Sequence, residues 1–271
     1  MHSRWRAALL AVAVAAMAAV VSACGGRGGG PLGTEYEYEE DLAIRLDGSA
    51  TLVINASVPA LVALRGLPLN TALNTRADEL RTQLRSLYSS EHTRVGRISS
   101  WARRGRRFVG VHLVVDDIRA LTGVAPLSWA TYDLRQEGEQ FVFRQTLSKP
   151  SSPGPLTAGL TGDEVVAFRL HIPARIRFQN SRYLEKDESR PAARGNIVTW
   201  EQRLRERLQG KPIAYAEDRT PDVMEARMDR QSILYRTLWL FGIAFVAAML
   251  VIAALIWLTM RRGGKPEGAA G

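Results

Sequence analysis

The stretch EYEYEEDLAIRLDGSATLVINASV, residues 35–58, decides the fold class of the domain. Apolar residues hold alternate positions on both sides of the Asp47-Gly48 dipeptide. Alternation with a period of two predicts half-buried strands, and Asp-Gly between two such runs supplies the positive φ of a tight hairpin turn. Pro59 and Pro68 then interrupt the ladder. The stretch therefore predicts an antiparallel hairpin, with apolar positions at Tyr36, Tyr38, Leu42, Ile44, Leu46, Leu52, Ile54, Ala56 and Val58.

A helix and further hairpins follow. Three-and-four spacing of apolar residues, beginning at Leu73, predicts a surface helix over 75–88 that Thr75 caps at its start. Alternation predicts hairpins over 93–115 and 128–147. These patterns are typical of an α+β fold: a mainly antiparallel β-sheet built from hairpins, with one or two packed helices.

The last part of the domain is less regular. Residues 148–162 hold three prolines and several Ser and Gly, so they predict a surface loop, whose role as a cover or a spacer stays open. Alternation returns over 166–178, and a strand is predicted to begin at Ile197. Residues 224–229 fit a strand and a helix almost equally well.

The only cysteine of the chain, Cys24, follows a basic start, an apolar run over 7–21 and two small residues. That order is typical of a secretory signal peptide. The tetrad Val-Ser-Ala-Cys resembles the lipobox of bacterial lipoproteins, in which the sulfur carries a diacylglyceryl group. Two acyl chains anchor a protein firmly where one holds weakly. We expect a signal peptide at 1–23, lipidation of Cys24 and a Gly-rich tether over 24–33. The alternative is an ordinary signal sequence with an unmodified thiol.

A second anchor is predicted near the carboxyl terminus. Residues 237–260 carry no charge and are rich in Leu, Ile, Val and Ala. About 20 apolar residues cross a hydrocarbon core, so this segment predicts a transmembrane helix rather than a buried core helix. Because the amino terminus is exported, we expect the domain (34–229) and a juxtamembrane segment (230–236) outside, and the tail (261–271) in the cytoplasm. Both anchors then lie in the cytoplasmic membrane.

The charge of the chain narrows its partners. It carries 36 Lys plus Arg against 27 Asp plus Glu, a net charge of +9. A basic excess suits anionic headgroups, anionic polymers or nucleic acid, and an exported domain rarely meets nucleic acid. We expect as partners the cytoplasmic membrane, an anionic lipid or glycolipid and a membrane protein, but no nucleic acid. No cofactor is expected.

The turn of the 93–115 hairpin is the candidate binding site. Four arginines crowd this turn, and two aromatic residues bracket them. Guanidinium groups offer forked donors that match phosphate oxygens, and aromatic rings suit a membrane interface. The pattern predicts a headgroup-binding loop; the alternative is a solvated hairpin end whose charges keep an edge strand from pairing. The residues of this candidate site are Trp101, Arg103, Arg104, Arg106, Arg107 and Phe108.

Short phrases near the end of the domain resemble a known family. LHIPARIRFQN (170–180), a polar loop, GNIVTWEQRL (195–204) and GKP (210–212) are similar to the pattern of LppM-type bacterial envelope lipoproteins. Those proteins also join a lipobox, a domain that opens with a D-G hairpin, and a carboxy-terminal span. The resemblance implies a protein that faces the cell envelope, and we expect lipid binding from it. It implies no catalytic residues. The matching residues are Asp47, Gly48, Pro173, Asn180, Gly195, Asn196 and Trp200.

The sequence favours a protein without catalysis. It holds no phosphate-binding glycine loop, no HExxH and no GxSxG motif. His92, His112 and His171 each stand alone in their local sequence, so no metal site is expected, and a hydrolase assembled across the fold is the minority alternative. Two functions remain. A lipid- or glycolipid-binding or envelope-homeostasis module predicts a large pocket between strands; an accessory or scaffold subunit predicts a filled core and an exposed apolar patch.

Overall fold

The computed structural model describes residues 36–150, 154–156, 159–181, 184, 193–213 and 223–262. The strands are β1 (Tyr36–Ile44), β2 (Ala50–Ser57), β3 (Thr93–Arg103), β4 (Arg106–Val115), β5 (Ala130–Glu137), β6 (Gln140–Leu147), β7 (Val165–His171), β8 (Ala174–Gln179), β9 (Ala193–Arg194), β10 (Ile197–Arg203) and β11 (Val223–Ser232). The helices are α1 (Val58–Arg65), α2 (Ala77–Tyr88), α3 (Leu204–Leu208) and α4 (Ile233–Arg262). The predicted α+β class, with mostly antiparallel sheet and one apolar carboxy-terminal helix, is confirmed.

The strands form two sheets. Sheet A has the order β3-β4-β2-β1-β7-β10-β9, and sheet B has the order β5-β6-β11-β8. Paired strands are antiparallel, except that β1 and β7 run parallel. The predicted first hairpin is confirmed as β1 and β2, at the centre of sheet A. In its turn Gly48 has a φ of 89°, and Asp47 Oδ1 accepts a hydrogen bond from the Ser49 N–H at 2.9 Å.

One apolar core joins the sheets and the helices. Buried side chains from both sheets and from α1 and α2 form a single contiguous cluster. It includes the inward positions that the alternation of the first hairpin predicts, such as Leu52 and Ile54. Burial of one such side chain contributes about 1.5–3 kcal/mol, so this cluster supplies the main favourable free energy of folding.

Helix α1 follows β2 directly, where the sequence indicates only an interruption at Pro59. The Ser57 Oγ caps the helix by accepting a hydrogen bond from the Ala60 N–H at 3.1 Å. Pro59 lies in the first turn, where a missing N–H leaves no helical bond unmade. Gly66 ends the helix in the left-handed conformation, with a φ of 60°. Because α1 is buried on most sides, its sequence shows no amphipathic pattern.

The predicted surface helix is confirmed as α2, with two corrections at its start. Arg76 is the N-cap residue and makes no side-chain capping bond. Thr75, which the sequence predicts as the cap, instead donates from Oγ1 to the Ala72 carbonyl at 2.8 Å. Leu73 was expected on the buried face, but it precedes the helix and is 44% exposed. The buried side chains of α2 are Leu80, Leu84 and Tyr88.

Residues 224–229, whose sequence fits a strand and a helix almost equally well, form part of strand β11. Helix α4 follows β11 without a linker. The Ile233 N–H donates to the Pro173 carbonyl at 2.9 Å, and the Leu234 N–H donates to Ser232 Oγ at 3.2 Å. Residues Ile233–Leu258 form a stretch of 26 residues, long and apolar enough to cross a membrane, and its apolar window is not buried against the domain.

Sheet A has two ends, which the direction of β1 defines. At the tip end, β1 begins at Tyr36 beside the β3–β4 turn. At the anchor end, β1 finishes at Ile44, next to the end of the parallel strand β7, which leads through Pro173 to the start of α4. The nine residues of β1, at about 3.3 Å each, separate the two ends by about 26 Å. The arginine turn and the apolar helix therefore lie at opposite ends of the sheet.

Candidate functional site

The β3–β4 turn forms where the sequence predicts it. Arg103 pairs with Arg106 across the turn, and Arg104 and Gly105 occupy its left-handed positions, with φ values of 49° and 70°. A Cβ atom added at Gly105 would meet no atom within 4 Å, so the turn has open space around it. The Arg-Gly dipeptide thus supplies the backbone conformation that the turn needs.

Two of the four arginines are held by backbone carbonyl groups. Arg103 Nη2 donates to the Tyr36 carbonyl at 2.7 Å, and Arg107 Nη2 donates to the Leu73 carbonyl at 2.6 Å. Among the described residues, neither guanidinium lies within ion-pair distance of a carboxylate. A carbonyl leaves the positive charge of its partner unneutralised, so both groups keep the charge and spare donors that an anion needs.

The third arginine, Arg106, is neutralised by a buried carboxylate. Its Nε lies 2.9 Å from Glu37 Oε1, and its Nη2 donates to Glu37 Oε2 at 3.0 Å. Burial raises the pKa of Glu37, although a hydrogen bond from Ser57 and the charge of Arg106 oppose the rise. The pair fixes the turn against the start of β1, and Arg106 is therefore a structural member of the cluster.

The two aromatic residues of the candidate site have different surroundings. Trp101 and Phe108 stack across β3 and β4 with ring centroids 5.8 Å apart. Phe108 is buried, and the Arg103 guanidinium carbon lies 4.1 Å from its ring centroid. Trp101 is 37% exposed. Trp101 is thus accessible to a ligand, whereas Phe108 belongs to the packing beneath it.

The structure brings the candidate residues together at one turn and gives them unequal roles. Arg103, Arg107 and Trp101 are the members that combine free charge or an accessible ring with a fixed position. Arg104 is exposed at the turn itself. Headgroup binding by this loop stays a prediction.

Two outward-facing acidic residues of β1 each contact a basic side chain of the neighbouring strand β7. Glu39 Oε1 lies 2.6 Å from Arg169 Nη1, and Asp41 Oδ1 lies 2.7 Å from His171 Nε2. With Glu37 and Arg106, these pairs form three rungs along one face of sheet A. Burial raises the pKa of Glu39, against the opposing effects of Arg169 and a hydrogen bond from Asn55. Parallel pairing with β7 therefore supplies the partners of Glu39 and Asp41, whereas the partner of Glu37 comes from β4.

The Asp41–His171 pair is the one place where a histidine meets a carboxylate among the ion pairs of the described chain. Sequence reasoning missed it because the two residues are brought together only by the β1–β7 pairing. No group of three His, Cys, Asp or Glu residues that could hold a metal ion occurs in the described part of the chain.

A second polar cluster lies inside the core and was not predicted. Glu40 accepts hydrogen bonds from the hydroxyl groups of Tyr38 and Tyr132, and it pairs with Arg65 at 3.3 Å. Burial raises the pKa of both tyrosines, which keeps the phenols protonated as donors. The Arg65 guanidinium carbon also lies 3.4 Å from the ring centroid of Trp129. The cluster ties sheet A and α1 to sheet B.

The residues that carry the LppM-type resemblance are structural in this chain. Asn180 Oδ1 accepts from Trp200 Nε1 at 3.1 Å and from the Glu225 N–H at 2.9 Å, which joins β8, β10 and β11. Asn196 Nδ2 donates to the Ile172 carbonyl at 2.8 Å. Gly195 adopts a φ of 65°. These residues hold turns and strand ends in place, so the resemblance concerns the fold.

The predicted lipidation site lies outside the described residues. Cys24, the signal peptide and the tether all precede Tyr36, where the described chain begins. The carboxy-terminal anchor is described: α4 is the helix that is long and apolar enough to span a membrane.

The fold and its features define a class of protein: an α+β domain of two mostly antiparallel sheets that leads directly into a candidate membrane-spanning helix. Among solved structures, the chain is similar to the NMR structure of the folded domain of LppM from Mycobacterium tuberculosis, with 13% identity and a TM-score of 0.37 over 77% of this chain and 98% of that chain. That protein bears the name of the group that the sequence phrases resemble. Similarity at this level says nothing about a ligand or an activity of this chain. No protein-family model and no curated protein matches the chain.

Proposed function

We propose that this chain is a non-enzymatic envelope lipoprotein that binds lipid or glycolipid headgroups at the outer surface of the cytoplasmic membrane. A lipid on Cys24 and helix α4 hold the domain at two points, and the arginine turn at the tip end meets the headgroups. Two attachments in one membrane keep a surface close to it, because release of one leaves the other in place.

One observation carries this proposal. Arg103 binds the backbone of Tyr36, and Arg106 binds the side chain of Glu37, and these are the first residues of β1. Tyr36 follows Cys24 by 12 positions (36 − 24). The arginine turn therefore surrounds the point where the chain from the lipid anchor enters the domain, while α4 leaves from the opposite end of sheet A. Anchors at opposite ends favour a sheet that lies along the bilayer.

The length of the tether permits the same posture. Twelve residues span at most about 43 Å when fully extended. An upright sheet A would hold Tyr36 about 26 Å, one length of β1, above the start of α4. The tether therefore allows both postures, and the arginine turn beside Tyr36 is what favours the one with the tip end at the headgroups.

A scaffold or accessory subunit is the second candidate, and the packing of the core favours it. The interior between the sheets is occupied by one contiguous apolar cluster. A lipid bound inside the domain would have to displace these side chains. The filled core thus restricts lipid binding to the surface, whereas a domain that docks on a membrane partner needs no internal cavity.

The arginine turn is tested by its affinity for anionic lipid. Each basic residue near an anionic surface contributes about 1 kcal/mol. We expect the double variant Arg103→Ser, Arg107→Ser of the full chain in detergent micelles to bind short-chain phosphatidylglycerol roughly 30-fold more weakly. Arg85→Ser, Arg97→Ser removes the same charge from exposed positions of α2 and β3 and is the matched control. If both double variants bind the lipid with equal affinity, and a protein partner co-purifies in stoichiometric amount, the chain would be a scaffold or accessory subunit instead.

The lipid anchor is tested by the intact mass of the chain from its native membranes. We expect a mass that lacks residues 1–23 and includes a diacylglyceryl group. Cys24→Ser should keep the signal segment and lose the lipid mass. An unmodified thiol on a chain that still carries residues 1–23 would contradict the two-point attachment.

A further inference from the structure

Strand β3 lies at one edge of sheet A. The order of the sheet is β3-β4-β2-β1-β7-β10-β9, so among the described strands β3 pairs with β4 alone. Arg103 and Arg106 close a two-residue turn and form a hydrogen-bonded pair. Hydrogen-bonded and non-hydrogen-bonded pairs alternate along an antiparallel ladder. The backbone N–H and C=O groups of Ile98, Ser100 and Ala102 therefore point away from β4.

The two halves of this edge differ in their hydrogen bonds. In the first half, the Thr93 carbonyl accepts from the Ser90 N–H at 3.3 Å, and the Val95 carbonyl accepts from Arg85 Nη1 at 3.4 Å. In the second half, no other described residue is bonded to the outward backbone groups of residues 98–102. Unpaired groups at a sheet edge are a template for another strand. We call Ile98, Ser100 and Ala102 the open edge.

The open edge has a basic side chain at each end. The β3–β4 hairpin, residues 93–115, carries six Arg and no Asp or Glu. Arg97, which is exposed, precedes the open edge, and Arg103, whose partner is the Tyr36 carbonyl, follows it. On the same face of the sheet as Arg103, the ring of Trp101 is 37% exposed. A strand added at this edge would therefore meet two cations and an accessible apolar ring.

We propose that the open edge binds an extended acidic segment of a partner protein, which adds to sheet A as a further strand beside β3. Backbone hydrogen bonds supply the affinity of such a complex, and alternate side chains supply its specificity. An acidic residue opposite Arg103 and an apolar residue opposite Trp101 lie two positions apart in the added strand, on one face. The inference goes beyond the proposed function, because it assigns a protein ligand to backbone groups that lipid binding does not use.

A second copy of the chain fits this edge less well than an acidic segment does. The register that uses the whole open edge places Ser100 opposite Ser100, and Arg97 of each copy opposite Arg103 of the other. Like charges directly opposite each other destabilise a strand pair. A segment with carboxylates at these two positions pairs with both arginines instead. The charges at the two ends of the open edge therefore favour an acidic partner over self-association.

Amide hydrogen exchange of the full chain in detergent micelles tests the open edge. The probe is a peptide of Glu-Val repeats with blocked ends, and a peptide of Lys-Val repeats is its charge-reversed control. Saturation with the acidic peptide should slow the exchange of the open-edge amides by about tenfold or more. The amides of Ser99 and Trp101 already bond to β4, so their exchange should stay the same. Unchanged exchange of the open-edge amides would overturn the proposal.

A proline substitution separates strand pairing from charge attraction. Ser100→Pro removes an N–H that points away from β4, so the β3–β4 ladder stays intact. Ser100→Ala keeps this N–H and is the matched control. We expect Ser100→Pro to bind the acidic peptide roughly tenfold more weakly than Ser100→Ala does, and Arg97→Ser to weaken binding about threefold. Equal affinities of Ser100→Pro and Ser100→Ala would overturn the proposal.

The lipid assay distinguishes this inference from the proposed function. Ser100→Pro keeps every arginine, so it should bind short-chain phosphatidylglycerol as the parent chain does. If Ser100→Pro leaves the peptide affinity unchanged while Arg103→Ser, Arg107→Ser still weakens lipid binding, the inference fails and headgroup binding stands. If the open-edge amides become protected without peptide as the protein concentration rises, a second copy occupies the edge, and the acidic segment is overturned.

Discussion

Each end of sheet A carries a carboxylate paired with a basic side chain, and the two pairs differ in their surroundings. At the tip end, Glu37 and Arg106 form a two-point pair whose side chains are 5% and 12% exposed. At the anchor end, Asp41 and His171 form one contact, with side chains 30% and 35% exposed. Water and salt screen an exposed pair and leave a buried pair at nearly full strength. The charges of the tip end are therefore part of its packing, and those of the anchor end lie on the surface.

This difference explains how an arginine-rich turn can be both ordered and charged. The charge of Arg106 is neutralised by Glu37, and this pair fixes the turn. The charges of Arg103 and Arg107 are not neutralised, because their partners are backbone carbonyl groups. A turn held in place loses little conformational entropy when it binds, so more of the interaction free energy appears as affinity. The anchor end differs because β11 continues there directly into helix α4.

The largest expected effect is at the buried rung. Arg106→Ala leaves Glu37 buried without its cation, which should lower the free energy of unfolding by about 3–5 kcal/mol. Chemical denaturation of the full chain in detergent, followed by near-ultraviolet circular dichroism, measures this loss. Arg135→Ala breaks two exposed pairs on sheet B, with Asp133 and Glu137, and is the control. If Arg106→Ala lowers the free energy of unfolding no more than the control does, the ion pair at the tip end is not more strongly stabilising than an exposed pair.

The middle rung should give an intermediate loss. Arg169→Ala removes the partner of Glu39 and a cation–π contact with the ring of Tyr36, at 4.9 Å from its centroid. We expect a decrease of about 1–3 kcal/mol in the free energy of unfolding, the usual penalty for one unsatisfied buried acceptor. The same denaturation assay applies. A loss greater than that of Arg106→Ala would reverse the order along β1.

The pH dependence of stability should reveal the raised pKa of Glu39. Burial raises this pKa above its ordinary value of 4.5, so the folded state binds the proton more tightly than the unfolded state does. The corresponding stability is fully present below about pH 4.5 and is lost as the pH rises through the folded pKa. Glu39→Gln lacks this contribution, so the advantage of the parent chain over the variant should grow as the pH falls from 7 to 4.

An opposite sign is expected for an exposed carboxylate of sheet B. A hydrogen bond from Arg144 lowers the pKa of Glu137, so its contribution is present above the ordinary value of 4.5 and is lost as the pH falls. Glu137→Gln should therefore narrow its difference from the parent chain over the same range. Melting temperatures between pH 4 and pH 7 measure both variants, and slopes of the same sign would contradict the burial of Glu39.

The smallest effect is expected at the anchor end. Asp41→Asn weakens a screened pair and should change the free energy of unfolding by no more than about 1 kcal/mol. Denaturation at low and high salt separates the screened part of this change. A loss that approaches that of Arg106→Ala would mean that the anchor end is as tightly packed as the tip end.

Local patterns predicted the elements that depend on local chemistry. The Asp47-Gly48 hairpin, helix α2 and helix α4 all follow from periodicity, turn residues or hydropathy. The arginine turn was predicted as well, because Arg-Gly lies between two alternating runs. What alternation could not supply is the order of strands, since β1 pairs with β7, more than 120 residues away, through contacts that leave no local signal.

Two of the misses have a common physical cause. Glu40 sits at an inward position within the acidic run of β1, where a buried carboxylate and a solvated one look alike in sequence. Its partner Arg65 ends α1, a helix whose near-complete burial removes the amphipathic pattern. Thr75 looks like a cap because it stands before an apolar periodicity, yet its hydroxyl group turns back to the Ala72 carbonyl. Each miss concerns a polar group whose partner comes from outside the local pattern.

The central claim is that sheet A lies along the bilayer, with the tip end at the headgroups and α4 leaving from the other end. The most direct measurement is energy transfer from a dye on Ala102→Cys, next to the arginine turn, to acceptors on lipid headgroups, in the acylated full chain in nanodiscs. The account predicts a separation well below the roughly 26 Å length of β1. A separation of about 26 Å or more in an acylated chain would show an upright domain and contradict the claim.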